Sequence, residues 1–446
     1  MGMDPYNLVS FVGIFVLMAM AWGLSSHPRR LNWRCIGFGV GIQLLLGLLV
    51  FWAPGSTKLF LWLNDLVAEL LKAATAGQKF LFGPLAEAGT LEAAFGKGKG
   101  FILAVQALPV IIFFAALMGL LYYWRIMPVI IRGFAWLFTR LMRVSGAESL
   151  CAASNIFVGI ESATTIRPYI AGMTRSELCT ILTAGMATIA SSVLFMYAGF
   201  LRNVFPTIAG HLISASIMSA PAAIVMSKIL LPETGEPLTM GVSPKIEIER
   251  ESGAMDAVVG GAMAGVRMVV GICALLVAFL GLIALLDLLL GGAGHAAESA
   301  LGRFAAYFGR TFGVQFQWSL QGLMGYVMWP FAVLIGVPQA DAQVAGQMLG
   351  ERMLVTELPA YLHLAEHMKA NAFTHPRSPV VIAYALCGFA HVASLGIFVG
   401  GIAALVPERR KDLAAVGPRA LLAATLACLM TGAVAGAFFH GAKGVL

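Results

Sequence analysis

Charge is the scarcest ingredient of this chain. Of its 446 residues only 11% are Asp, Glu, Lys or Arg, while 59% are hydrophobic and the mean hydropathy is +0.86. A soluble protein carries about 25% charged residues, so the composition excludes a soluble globular fold and points to a polytopic membrane protein. Cysteine is also sparse. Cys35, Cys151, Cys179, Cys273, Cys387 and Cys428 lie mostly inside apolar runs, with no CxxC or Cys/His spacing. That excludes a disulfide framework and a zinc site, and leaves small core residues. No nucleophile–base pair, HExxH or metal cluster occurs, so no enzyme is expected. The first apolar run, Leu8–Leu24, lacks a basic segment before it and is followed by Arg29 and Arg30. It therefore reads as a retained helix, not a cleaved signal. The net charge of +7 is modest and its basic residues sit in short loops. This is a membrane-orientation signal and not a nucleic-acid footprint.

The apolar runs set the organisation. Leu8–Leu24, Ile36–Ala53, Phe101–Tyr122, Ile208–Leu231, Val266–Leu290 and Ala420–Phe439 are near the twenty residues a bilayer demands. Ser176–Leu201 and Pro379–Leu405 are also long, but interrupted, the first by Ala187–Ser192 and the second by Gly388–Gly396. These make about eight spans. Lys58–Ala86 has amphipathic spacing and reads as an interfacial helix. Thr90–Gly100 reads as a Gly/Lys-rich loop, Trp124–Val144 as a helix at the cytoplasmic face, Gly291–Gln317 as a Gly-rich loop with an amphipathic piece, and Leu320–Ile335 as a packed or surface helix. Two further segments, Leu150–Ile170 and Gln343–Met368, each join two apolar pieces too short to cross a bilayer. They read as re-entrant hairpins. The order hairpin, interrupted helix, continuous span then occurs twice. With the N-terminus outside, the basic loops at 25–34, 125–143 and 408–411 all fall in the cytoplasm, and the two units are inverted with respect to each other. The expected division is 1–54 (two helices), 55–147 (scaffold), 148–231 (first transport repeat), 232–342 (linker, sixth span, interfacial helices) and 343–446 (second transport repeat).

The joints carry the chemistry. Glu161 sits at the first, in Asn155-Ile-Phe-Val-Gly-Ile-Glu-Ser162, and Glu357 at the second, in Leu354-Val-Thr-Glu-Leu-Pro-Ala-Tyr361. A carboxylate there is costly unless it faces protein or a water-filled cavity. Each has an arginine near in sequence, Arg167 and Arg352, so a structural ion pair stands beside a functional role. Corresponding acids in two repeats favour function, and an ionised carboxylate in a dry site accepts strong hydrogen bonds from a polyhydroxylated solute. The break at Thr188, Ser191 and Ser192 frees carbonyl oxygens, which with the Asn155 and Thr188 side chains could ligate a hard monovalent cation. In the second break, His391 is open to three roles: donor to substrate, titrating group for proton coupling, or packing. Phe389 either stacks on a planar base or fills core.

At these residues the sequence resembles the concentrative nucleoside transporter family. That family's first tip reads Asn-x-x-x-Gly-Gln-Thr/Ser-Glu, followed by Arg-Pro-Tyr/Phe; here it is Asn155-Ile-Phe-Val-Gly-Ile-Glu161, then Arg167-Pro-Tyr169. The second tip, Gly-x-Lys-x-x-x-Asn-Glu-Phe-Val-Ala-Tyr, is Gly350-Glu-Arg-Met-Leu-Val-Thr-Glu-Leu-Pro-Ala-Tyr361. Phe-Ala-Asn-Phe-Ser-Ser-x-Gly is Phe389-Ala-His-Val-Ala-Ser-Leu-Gly396. The match runs from about residue 100 to the C-terminus. The resemblance implies a homotrimer in a bacterial inner membrane, multi-pass, that imports nucleosides by symport with sodium and holds no resident cofactor. It implies ribose contacts at Glu357 and Ser394 and a base-side contact at Glu161, with Thr356, His391, Phe389, Gly159 and Ile160 as further residues of the substrate site. Sodium falls to Asn155 and Thr188 by side chain and to Val158 and Ile189 by backbone carbonyl. The chain departs from the family in three places. Ile160 stands alone where the family has Gln and Thr, His391 replaces Asn, and Pro359 follows Thr356-Glu-Leu358. Coupling to protons, a different hydroxylated solute, and a non-transporting nucleoside sensor remain alternatives.

Overall fold

The computed structural model describes residues 4–96, 100–242, 244, 252–312 and 319–441, with 292–312 as backbone. Among these residues all regular structure is helical, as the composition requires: in lipid only internally bonded helices or closed barrels satisfy the backbone.

The chain opens with α1 (Pro5–Gly23) and α2 (Trp33–Trp52). Asp4 caps α1 by accepting from the Tyr6 N–H at 3.0 Å, and Asn32 caps α2 by accepting from the Cys35 N–H at 3.1 Å. Next come α3 (Ser56–Phe82) and α4 (Ala88–Phe95). One face of α3 (Phe60, Val67, Leu71, Ala74) is buried while Leu59, Leu61, Trp62 and Leu66 stay exposed, the two-faced pattern its spacing predicts. The expected third span is divided by Pro109 into one turn, α5 (Leu103–Gln106), and α6 (Val110–Tyr123). Proline lacks the N–H that would continue the first piece. Amphipathic α7 (Ile126–Met142) follows.

The first hairpin is α8 (Gly146–Asn155), a 3₁₀ stretch over Ile160–Ile166 and one turn, α9 (Arg167–Ile170). The returning arm is thus not the α-helix expected over Ala163–Ile170. The Thr164 and Thr165 hydroxyls donate to the Glu161 and Ser162 carbonyls three residues back, both at 2.6 Å, which competes with α-helical bonding. The first interrupted helix is α10 (Arg175–Ala187) and α11 (Ser191–Leu201), followed by α12 (Ile208–Leu230). Long α13 (Ala254–Phe312) runs through Gly291, where the sequence suggested a loop. No proline lies between 254 and 312, and glycine alone costs only about 1 kcal/mol per residue in a helix. Likewise Thr90–Phe95 is helical in α4, not loop.

The second half has α14 (Leu320–Leu334), packed along α15 (Gln339–Leu354), then α16 (Glu357–Lys369) as the second arm of the hairpin. The second interrupted helix is α17 (Arg377–Leu386) and α18 (Val392–Leu405). The last helix, α19 (Arg410–Phe438), starts ten residues before the expected Ala420. Among the described residues seven helices are long and apolar enough to cross a membrane; the eighth expected span is the α17–α18 pair, split into two short pieces. Within the most apolar eighteen residues of each stretch, 89% are buried for Arg175–Leu201 and 83% for Pro407–Phe438, against 6% for Ala254–Gly291. So α10, α11, α12 and α19 form the interior and α13 lies outside, against α6. All six cysteines are free, and all but Cys273 are buried.

A buried charge cluster closes the base of the first hairpin. The Lys228 ammonium, at the end of α12, lies 2.8 Å from Glu148 of α8 and 3.5 Å from Glu233. Ser145 and Glu148 form a reciprocal cap on α8, and the Ser145 hydroxyl donates to Glu177 of α10. Charges this deep persist only when paired. Glu233 lies at the start of the polar stretch 232–252, so that stretch folds back on the helices there; residues 243 and 245–251 lie outside the described residues.

Candidate substrate and cation site

The two interrupted helices cross at their breaks. Gly388 has φ +154°, and a Cβ there would lie 2.6 Å from the Ala187 carbonyl oxygen and 2.6 Å from the Cys428 sulfur. Only glycine permits backbone to approach backbone this closely. The first hairpin tip joins the same region: the Ser191 N–H donates to the Phe157 carbonyl at 2.9 Å. The first tip, 155–159, and the first break, 187–191, are thereby made neighbours.

Asn155 and Thr188 are 0% and 1% exposed. The Asn155 amide donates to the Cys151 carbonyl at 3.0 Å, and its Oδ1 accepts from the Ser162 hydroxyl at 2.9 Å. A carbonyl oxygen has two lone pairs, so Oδ1 keeps one. The Thr188 hydroxyl donates to the Ala184 carbonyl at 2.8 Å, which leaves its own lone pairs open. The Val158 and Ile189 carbonyls accept no hydrogen bond among the described residues. Four uncharged oxygen donors with spare lone pairs suit a hard monovalent cation.

Glu357 anchors the other half. It is 3% exposed, at the start of α16. The Tyr197 hydroxyl of α11 donates to its Oε1. His391 Nε2 lies 3.4 Å from its Oε2, which has no closer hydrogen-bonding partner. His391 Nδ1 accepts from the Ser394 N–H at 3.1 Å; that fixes the proton of a neutral ring on Nε2, toward Glu357. Beside the carboxylate the Thr356 hydroxyl is buried and unbonded. Tyr197 is itself held by stacking on Tyr361, with ring centroids 4.5 Å apart, while the Tyr361 hydroxyl donates to the Ala383 carbonyl at 2.9 Å.

The remaining candidates are placed as follows. The Ser394 hydroxyl is turned inward: its single proton faces the Phe389 and His391 carbonyls, and its oxygen accepts from the His391 N–H at 3.3 Å, which completes the cap of α18. Phe389 is half-buried. Glu161 is exposed, its Oε2 close above Gly159. Ile160 lies against Gly401 of α18, where a Cβ would collide with it; its side chain holds the tip to α18. Neither glutamate takes the arginine partner its sequence neighbourhood suggested: among the described residues Glu161 makes no ion pair with Arg167. Buried Arg352 donates instead to the Ala385 carbonyl at 2.9 Å. Tyr197 is the residue that sequence reasoning missed. Its one signal is a phenol inside an otherwise apolar half-helix, five positions beyond Ser192.

Three family descriptions match the chain: "Na+ dependent nucleoside transporter N-terminus" over residues 12–85, "Nucleoside recognition" over 104–204, and "Na+ dependent nucleoside transporter C-terminus" over 211–436. Solute carrier family 28 member 3 of Rattus norvegicus is 36% identical over 444 residues. The match takes in 96% of this chain but 58% of that protein, so the chain spans little over half of its length. An uncharacterized transporter of Haemophilus influenzae is 36% identical over 435 residues, with 97% of each chain covered. Among solved structures, CNTnw in an inward-facing substrate-bound state superposes with a TM-score of 0.85 at 33% identity, over 97% of this chain and 98% of that one.

Proposed function

The chain belongs to the Na+ dependent, or concentrative, nucleoside transporter family, and on that premise we propose that it imports nucleosides across a bacterial inner membrane by symport with sodium. The observation that carries the reading is Glu357: a buried carboxylate with one oxygen lacking a hydrogen bond, next to an unbonded Thr356 hydroxyl. Vicinal ribose hydroxyls supply the donors that such a carboxylate lacks. Sodium takes the oxygens of Asn155, Val158, Thr188 and Ile189, orders the first tip, and so prepares the base side, where Gly159, Ile160, Glu161 and Phe389 lie. Ile160, packed on Gly401 of α18, offers a base edge neither the amide nor the hydroxyl of the family's tip, so discrimination among bases is weak. Residues 148–231 and 343–446 move with substrate. The stretches 55–147 and 232–342, α6 and α13 among them, stay as the scaffold of a trimer, with the N-terminus outside.

The test is uptake of labelled uridine and adenosine into proteoliposomes with sodium and proton gradients imposed separately. Sodium-driven, saturable uptake of either is expected. Uptake driven by protons alone favours a second reading, prompted by the His391 ring 3.4 Å from Glu357, in which that pair carries the coupling proton. No uptake under either gradient rejects both. For the cation site, Asn155→Ala removes one ligand of four, and the sodium concentration for half-maximal uptake should rise roughly tenfold, as expected for loss of one interaction with an ion. An unchanged value removes Asn155 from the site.

A further inference from the structure

A second polar site lies at the end of the molecule that carries the basic loops. A cavity of about 230 Å³ is lined by Arg30, Asn32, Arg143, Glu148, Lys228 and Glu233, with Leu31, Val144 and Met240 between them. It forms where the start of α2, the end of α7, the base of α8 and the end of α12 converge. Both acids are already engaged. Glu148 accepts from the Ser145 N–H at 2.8 Å and pairs with Lys228 at 2.8 Å. Glu233 accepts from the Thr234 and Gly235 N–H groups at 3.1 and 3.0 Å and from the Thr174 hydroxyl at 2.8 Å. The two arginines are not: among the described residues neither guanidinium has a hydrogen-bond or ion-pair partner. Three cations therefore face two carboxylates, and the surplus positive charge belongs to two planar forks at the cavity mouth.

We propose that this cavity binds a phosphate ester, with Arg30 and Arg143 holding the phosphate oxygens and Asn32 beside them. Guanidinium groups match phosphate geometry in a way an ammonium does not. The surroundings favour a phospholipid headgroup as the source. Trp33 and Trp136, 72% and 62% exposed, lie on the same two helices, and exposed tryptophan marks headgroup level. Below the cavity, Phe38, Leu45, Leu48 and Leu49 of α2 are exposed and offer an apolar track for acyl chains. Arg34 donates to the Leu141 carbonyl at 3.3 Å and lies over the Phe38 ring at 5.5 Å, so it fixes α2 against α7 and leaves the cavity to the other arginines. Basic pockets between helices at the cytoplasmic face are a known type of anionic-headgroup site.

The test is native mass spectrometry of the detergent-purified full chain with phosphatidylglycerol and phosphatidylcholine of equal chain length, beside thermal melting with glycerol 3-phosphate. The unaltered chain should retain phosphatidylglycerol in preference. The Arg30→Gln/Arg143→Gln double variant should lose that retention by roughly tenfold or more, since each surface arginine near an anionic lipid contributes about a fivefold factor. A control with the same loss of charge, Arg29→Gln/Arg132→Gln, should retain the lipid normally. Stabilisation by glycerol 3-phosphate that the double variant loses, without a lipid preference, supports the phosphate site with a soluble ester as its occupant. If neither probe distinguishes the double variant from the unaltered chain, the proposal is overturned.

Discussion

Replacing Glu357 with glutamine should lower nucleoside uptake by roughly a hundredfold while the chain stays folded. Hydrogen bonds to an ionised group contribute about 1.5–3 kcal/mol each, and the proposed ribose contact makes two. Losing part of each reaches the two factors of ten. Folding survives because the amide keeps an oxygen to accept from Tyr197, and no arginine or lysine is left unpaired by the change. Tyr197→Phe makes an informative companion. It removes the hydroxyl that holds the carboxylate but not the carboxylate itself, so it should raise KM for nucleoside far less than Glu357→Gln lowers uptake. Near-normal uptake by Glu357→Gln, measured in the same proteoliposomes with the amount of reconstituted protein matched, would reject the ribose assignment.

Gly388→Val should destabilise the fold by about 2–4 kcal/mol, combining overpacking with an unfavourable backbone conformation. The clash is with the Ala187 carbonyl, 2.6 Å from the new Cβ, and with the Ala187 carbonyl carbon at 2.9 Å. Both are backbone and cannot swing away as a side chain can. Relief would require α10 and α17 to part, and they end at the very breaks that carry the candidate site. Thermal melting of the purified protein reads the effect, with Gly400→Ala on α18, where nothing lies within 4 Å, as the control. Equal melting of Gly388→Val and the unaltered chain would mean that the crossing is not tight.

Much of this was legible in the sequence, and for identifiable reasons. The breaks at Ala187–Ser192 and around Gly388 could be read because hydroxyls, glycine and a histidine interrupt otherwise continuous apolar runs. The joints at Glu161 and Glu357 could be read because a carboxylate has no place in lipid without a purpose. The direction of a side chain could not. Ser394 carries a motif hydroxyl, yet its own backbone neighbours consume it, a matter of local cap geometry. Tyr197 and Glu357 are 160 positions apart, and only the packing of α11 on α16 joins them. The 3₁₀ arm at Ile160–Ile166 arises from two threonines bonding backward, and the extension of α13 to Phe312 from an absence of proline. Both are weaker signals than hydropathy. At about 1.5 Å per residue α13 is about 90 Å long, some three times the hydrocarbon thickness, so much of it lies beyond the apolar layer.

The four half-helices that meet at the breaks have a further consequence, set by their direction. Asn155 is the last residue of α8 and Thr188 follows the last residue of α10. Glu357 is the first residue of α16 and His391 immediately precedes α18. Aligned peptide dipoles leave about half a negative charge at a helix's C-terminal end and half a positive charge at its N-terminal end. The proposed cation oxygens thus sit in two negative helix ends and the carboxylate in two positive ones. Each break also brings the opposite end of its own helix pair, the start of α11 at Ser191 and the end of α17 at Leu386, so the bias at each position comes from the added hairpin arm, α8 or α16, and is in place before any ligand arrives. Substitutions at Asn155 or Thr188 change how well a cation is held, but they do not reverse where it is attracted.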